Sequence, residues 1–299
     1  MTGAGSRGRA RLLLLGSALC FGLMAVLARR LSHGLAAFTA GQLSVIRFAL
    51  GAAFSLLAFR IRPGLYAPRR RPLLWVRGLS GGVVVVLYFL ALARIPAGEA
   101  GMLYNLFPVI ATLMAVPAFG ERPTVHLGLA LALASVGVGL VLGGGSLELG
   151  LGAGELLAVG AAGFAALSAV TIRAMRPTEN AATIFFYFCL GGLPVALPFA
   201  LDPWPADAAA WGLAALMALA AYGAQVMMAE AYGALTVGEA AIWLQLTPIA
   251  QVALGAALLG ERLPAVALLG VLVGVTGVAY GSVMGARRLA VAPLLRDQS

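Results

Sequence analysis

The stretch that runs from Gly98-Glu99-Ala100 through Pro108 and Gly120-Glu121-Arg122 to Gly137-Val138 is written twice. It returns as Gly238-Glu239-Ala240, Pro248, Gly260-Glu261-Arg262 and Gly277-Val278, at an offset of 140 residues throughout and with no gap. Both copies sit in a chain of 299 residues that is 62% hydrophobic and only 10% charged, with a mean hydropathy of +0.98. So little polar surface cannot coat a soluble particle. The repeat therefore reads as two copies of one membrane unit, a pattern that points to a carrier whose cargo site lies between the copies.

A helix needs about 20 apolar residues to cross about 30 Å of hydrocarbon. Ten such spans are predicted, at 12–31, 37–60, 73–94, 99–119, 124–142, 152–175, 181–201, 209–233, 238–259 and 264–285. Five spans per copy is an odd number, so the second copy must enter the membrane from the opposite face. The expected fold is an all-α membrane protein of ten transmembrane helices arranged as two inverted five-helix repeats. The repeats occupy 12–142 and 152–285, joined by a glycine-rich linker at 143–151 and flanked by cytoplasmic tails at 1–11 and 286–299.

All 20 basic residues are arginine, giving a net charge of +9. They cluster between apolar runs, which marks orientation charge and argues against a nucleic-acid partner. With the N-terminus inside, fourteen arginines fall in cytoplasmic loops or tails and four (Arg29, Arg30, Arg94 and Arg262) on the outer face, so both termini are expected to be cytoplasmic. The run from Leu12, preceded by Arg7, Arg9 and Arg11, resembles a signal peptide but shows no convincing small-residue cleavage site, and it reads as a retained first helix. A bacterial inner membrane is the expected location.

No soluble-enzyme signature is found. A nucleotide-binding loop, a dinucleotide glycine fingerprint, a metal-ligand cluster and a convincing Ser/His pair are all missing from the sequence. The expectation is a non-enzyme without cofactor or metal, and the missing nucleotide loop argues against ATP-driven transport within this chain. Cys20 and Cys189 lie inside apolar runs and read as packing residues.

The paired elements Gly98-Glu99-Ala100 to Pro108 and Gly120-Glu121-Arg122 to Gly137-Val138-Gly139, with Phe21-Gly22 and Arg47-Phe48, resemble the EamA domain of the drug/metabolite transporter superfamily over roughly residues 10–285. The resemblance implies a ten-helix inverted-repeat carrier of small metabolites, with amino-acid exporters among its bacterial members. Export of an amino acid or related compound by alternating access is the function expected, driven by the substrate gradient or by protons. A drug or cation exporter and a passive channel are the alternatives.

Several residues are candidates for the cargo site. Gly101, Asn105, Pro108 and Thr112 share a face of the fourth span, and Ala241, Gln245, Pro248 and Val252 share the equivalent face of the ninth. Pro108 and Pro248 each free a carbonyl, giving either a hinge or a static kink. Arg47, after Gln42 and Ser44, lies near the middle of the second span, where its guanidinium either holds a substrate carboxylate or fixes packing. Gln225 lies in the eighth span. Glu230, close to that span's end, is either a solvated carboxylate or a proton-coupling group. Tyr88, Tyr104, Tyr187 and Trp243 lie within spans, where they either line a cavity or pack. Glu99 and Glu239 read as helix-start carboxylates. Glu121-Arg122 and Glu261-Arg262 read as residues that make local ion pairs or orient the next helix, and Gly78, Gly81 and Gly82 as a helix contact.

Overall fold

The computed structural model describes residues 3–33, 38–92, 94, 103–121, 123–143, 152–260 and 264–296. Their backbone is helical: α1 (Gly3–His33), α2 (Ala40–Ile61), α3 (Arg71–Leu92), α4 (Phe107–Phe119), α5 (Val125–Gly143), α6 (Ala153–Met175), α7 (Ala181–Ala196), α8 (Ala208–Ala231), α9 (Val237–Leu244), α10 (Leu246–Leu259) and α11 (Ala265–Arg296). Single 3-10 turns occupy Pro63–Leu65 and Leu197–Phe199. Hydrocarbon offers no partner to a backbone N–H or C=O, and a helix satisfies both within one segment. Six stretches among the described residues are long and apolar enough to cross a membrane: Gly5–Ser32, Ala40–Ile61, Ala153–Met175, Ala181–Phe199, Ala208–Ala231 and Val237–Leu258. Shorter apolar helices cover Phe107–Phe119, Val125–Val141 and Ala265–Gly281.

Local signals place the helix ends. Thr39 and Thr236 begin α2 and α9 with reciprocal caps, in which the side chains of Gln42 and Glu239 reach back to the capping backbone. Asn180 and Asp207 cap α7 and α8. Gly120 and Gly260 end α4 and α10 at φ of 65° and 68°, a left-handed conformation that glycine adopts without a Cβ clash.

The expected helix boundaries change in four places. The segments read as tails carry helix: α1 starts at Gly3, and α11 continues to Arg296. Extending a formed helix costs far less than starting one. The ninth expected span is two helices that meet at Gln245. The fourth expected span also breaks, with Leu103 and Tyr104 helical, Asn105 and Leu106 in a turn, and α4 beginning at Phe107. At both breaks a tighter bond replaces the helical one, from Leu106 N–H to the Leu103 carbonyl at 3.1 Å and from Gln245 N–H to the Ile242 carbonyl at 3.2 Å. The prolines at 108 and 248 have no N–H to carry the regular ladder through these points. Gly98, Glu99, Gly101, Arg122, Glu261 and Arg262 lie outside the described residues.

The helices cross on small residues. α5 packs along α11, α1 against α8 and α10, α3 against α6 and α7, α2 against α7 and α8, and α4 against α6 and α9. A Cβ on Gly137 would stand 2.3 Å from the backbone N of Gly274, and one on Gly277 would stand 2.6 Å from that of Ala134. Across the α3–α7 crossing, a Cβ on Gly78 would stand 2.4 Å from the Tyr187 carbonyl oxygen. Without a hydrophobic force between helices in lipid, such close backbone approach supplies the dispersion contact that holds them together.

Gly137→Leu is expected to force α5 and α11 apart and to lower the thermal unfolding midpoint of the detergent-purified protein, at a cost of about 1–3 kcal/mol. Gly128, on an open face of α5 with nothing near its missing Cβ, is the control; Gly128→Leu should leave the midpoint unchanged.

Candidate functional site

Polar side chains gather where the second, third, sixth, seventh and eighth helices meet. Arg77 of α3 is 3% exposed. Its Nη1 donates to Ser168 Oγ of α6 at 3.2 Å, and its Nη2 to Gln225 Oε1 of α8 at 3.2 Å. The Ser80 hydroxyl lies 3.1 Å from that of Ser168 and completes the cluster. Above the guanidinium is the ring of Phe188 from α7, with the centroid 4.2 Å from Arg77 Cζ. Arg47 of α2 faces the same ring at 5.5 Å and its neighbour Phe48 at 5.6 Å. Sharing one ring keeps the two guanidinium carbons within about 10 Å of each other.

The surrounding sequence makes room for this cluster. A Cβ on Gly81 would stand 2.3 Å from the Phe188 ring and 2.5 Å from Arg77 Nη1. This glycine was expected to serve a helix contact, but it accommodates a charged side chain, whereas Gly78 and Gly82 do approach α7. Arg77 is the functional candidate that sequence reasoning missed. Its signal was an arginine a few residues inside a predicted span, where an ionisable group is costly and must face protein or water.

Among the described residues no carboxylate joins the two arginines. Among the described residues, Glu121, Glu155, Glu179, Asp202, Asp207, Glu230 and Glu239 all stand in the first or last turn of a helix or in a connection. The buried Nε atoms of both arginines lack a hydrogen-bond partner, as does Gln245 Oε1.

The other candidates divide by position. Gln225 joins the arginine cluster. Tyr88 and Tyr104 meet with ring centroids 5.1 Å apart, and Tyr104 stacks near Phe107 at 5.6 Å. Asn105 and Gln245 occupy the two helix breaks, 8% and 1% exposed, and Gln245 Nε2 donates to Ser135 Oγ at 3.0 Å. Trp243 is half-buried beside that break. Gln42 lies apart from the arginine cluster. Its side chain caps α2 and donates to the carbonyls of Asp202 and Pro203 at 3.0 and 3.1 Å, so its amide is already committed. Tyr187 is drawn away as well, packed edge-on to Trp75 and Phe186.

A second polar set closes the end of the bundle that carries the N-terminus. Arg7 of α1 pairs with Glu239 of α9 at 3.0 Å. Val237 N–H donates to Glu121 Oε1 at 3.2 Å. Glu121 thus bridges distant segments, and Arg122, its expected local partner, lies outside the described residues. Arg173 donates to the Tyr232 carbonyl at 2.9 Å, and Arg176 pairs with Glu230. The Glu230 side chain is 43% exposed, in keeping with the solvated reading. A cavity of about 110 Å³ lined by Thr112, Glu121, Pro123, Leu127 and Thr236 lies in this end, smaller than the usual small-molecule site. Burial pushes the Glu121 carboxyl above the ordinary glutamate range, although the Val237 N–H and Arg173 pull the other way.

A helical bundle with apolar spans, broken helices and ionisable groups turned inward defines an integral membrane protein built like a solute transporter. The chain belongs to the EamA-like transporter family, whose profile matches it twice, at residues 8–143 and 152–282. It is thus a member of a family of transporters and not of enzymes. It is 27% identical over 202 residues to the pseudopaline exporter CntI from each of two strains of Pseudomonas aeruginosa, a match that covers 66% of this chain and 70% of the relative. A crystal structure of a protein 20% identical shares the fold with a TM-score of 0.77, over 92% of this chain and 98% of its own.

Because the native pKa of Glu121 is raised, the folded protein holds that proton more tightly than the unfolded chain does. The stability it contributes is full below the ordinary glutamate range and is lost as pH rises through the raised native value. Glu121→Gln should therefore flatten the dependence of the unfolding midpoint on pH from the ordinary glutamate range upward, measured by differential scanning fluorimetry.

Proposed function

We propose that the chain is a secondary carrier that exports a small organic metabolite, an amino acid or related compound, across the bacterial inner membrane with both termini in the cytoplasm. Two inverted five-helix halves, 12–142 and 152–285, rock about a central site, and the broken spans flex at Pro108 and Pro248. The single observation that carries this reading is the pair of helix breaks, where a buried amide precedes a proline by three residues at positions 140 apart. Discontinuous helices at a repeat interface are how many carriers present backbone polar groups to a substrate in the middle of the membrane.

Four further facts support it. The family profile fits the two halves separately. Under exchange of residues 140 apart, the α1–α8 packing becomes α6–α3 and the α2–α8 packing becomes α7–α3, all of which occur. Glu121 touches Val237, at the start of the 22-residue stretch Val237–Leu258 that Gly260 follows. This contact supports a placement of residues 121 and 260 at opposite ends of one span, as the inverted reading requires. The name of the Pseudomonas relatives supports export of a small organic molecule.

In this reading the contacts Arg7–Glu239, Glu121–Val237 and Arg176–Glu230 seal the cytoplasmic end and must part for cargo to enter. Glu230 is a sealing residue here, and a coupling proton would need another carrier group. A passive channel has no use for such a seal, and a cation exporter has no use for two buried arginines in its interior.

Glu121→Cys together with Val237→Cys, in a background carrying Cys20→Ala and Cys189→Ala, places two thiols across the seal. Oxidation should abolish solute counterflow in proteoliposomes, and reductant should restore it. Full-rate counterflow in the cross-linked protein would refute rocking at this end.

A further inference from the structure

We propose that Arg47 and Arg77 are the anion-binding half of the cargo site, and that the cargo is a small amino dicarboxylate or a related molecule with two carboxylates, one for each guanidinium. This inference rests on the carrier reading and adds the class of cargo. The argument begins with cost. A guanidinium in the interior of a membrane protein calls for a counter-charge. Two are present here, and the acidic residues described all stand at helix ends or in connections. Arginine is always charged, so neutralisation by proton loss is no escape.

Geometry adds the form of the ligand. Arg77 spends its Nη atoms on Ser168 and Gln225 but leaves Nε buried and unpartnered. Arg47 likewise has a buried, unpartnered Nε, while part of its surface remains accessible. An arginine whose Nε is free presents a donor edge to a carboxylate oxygen. The Ser168 and Gln225 bonds hold the Arg77 head in one orientation, and Phe188 packs against both heads, so the two donor edges are prepared before a ligand arrives. Their spacing, set by that one ring, is within the span of a small dicarboxylate.

The placement of charge departs from the symmetry of the chain. The residues 140 positions after Arg47 and Arg77 are Tyr187 and Met217, so only the first half supplies cations. A symmetric scaffold with charge on one side fits an oriented cargo whose acidic groups all face that half.

The test is counterflow with the full chain in proteoliposomes, using aspartate, iminodiacetate and succinate as probes, with asparagine, succinamide and tetraethylammonium as charge controls. The expected result is counterflow of at least one dicarboxylate, with its amide at least tenfold weaker and tetraethylammonium inert. Arg47→Gln and Arg77→Gln should each raise the half-saturating dicarboxylate concentration at least tenfold, and Arg47→Lys should recover part of the loss. Unfolding midpoints measured on each variant separate lost binding from lost folding. Should Arg77→Gln fail to fold, the Arg47 variants decide. Counterflow of amides or tetraethylammonium without any of the dicarboxylates, or dicarboxylate counterflow indifferent to both arginines, would overturn the dicarboxylate site and leave the carrier reading standing. If folded protein moves none of the six probes, the dicarboxylate site is overturned. Failure of the carrier reading is recognised separately, by full-rate transport through a cross-linked seal.

Discussion

Within the hydrocarbon of a bilayer a backbone polar group has no water to turn to, and the whole architecture follows from that constraint. Helices satisfy it, so the apolar runs become helices. Where a proline denies the ladder its donor, at Pro108 and Pro248, the chain gives up regular helix and turns through a shorter bond. Such a break is tolerable only inside the protein, and both are lined by a buried amide, Asn105 in one span and Gln245 in the other. The points of greatest backbone irregularity thus become points of polarity in an otherwise apolar interior.

The same scarcity of partners governs the side chains. Arg77 is tolerable because Ser168, Gln225 and the face of Phe188 surround it, contributed by three different helices. Gly81 gives it space that any side chain would fill. At the end of the bundle, by contrast, arginines meet carboxylates directly, as in Arg7–Glu239 and Arg176–Glu230. Ion pairs of that partly exposed kind are individually weak, a useful property in a seal that must open, whereas the bonds around Arg77 are buried and held from several sides.

How far the sequence could be read depended on whether a signal was local. The apolar runs were legible as helices because hydrophobic length is additive along the chain, although several ends lie eight or more residues from where composition put them, and the sequence repeat was legible because equal offsets need no structure to be seen. The polar cluster was only half legible. Arg47 and Gln225 could be singled out as polar residues inside spans, but no spacing rule joins α2 to α8. Gln42 carried the same signal as Gln225 and has a different role, since a residue three positions past Thr39 is close enough to cap its own helix.

The sequence by itself determined that this is a helical membrane protein written in two related halves, with prolines and amides at matching positions, because composition, span length and offset are properties of the chain alone. Only the tertiary structure decided that Arg77 and Arg47 share one aromatic ring, that Glu121 reaches Val237, and that the spans behind Pro108 and Pro248 are broken. Each of those depends on which helices cross and how closely, and that is set by glycine contacts between segments far apart in the chain.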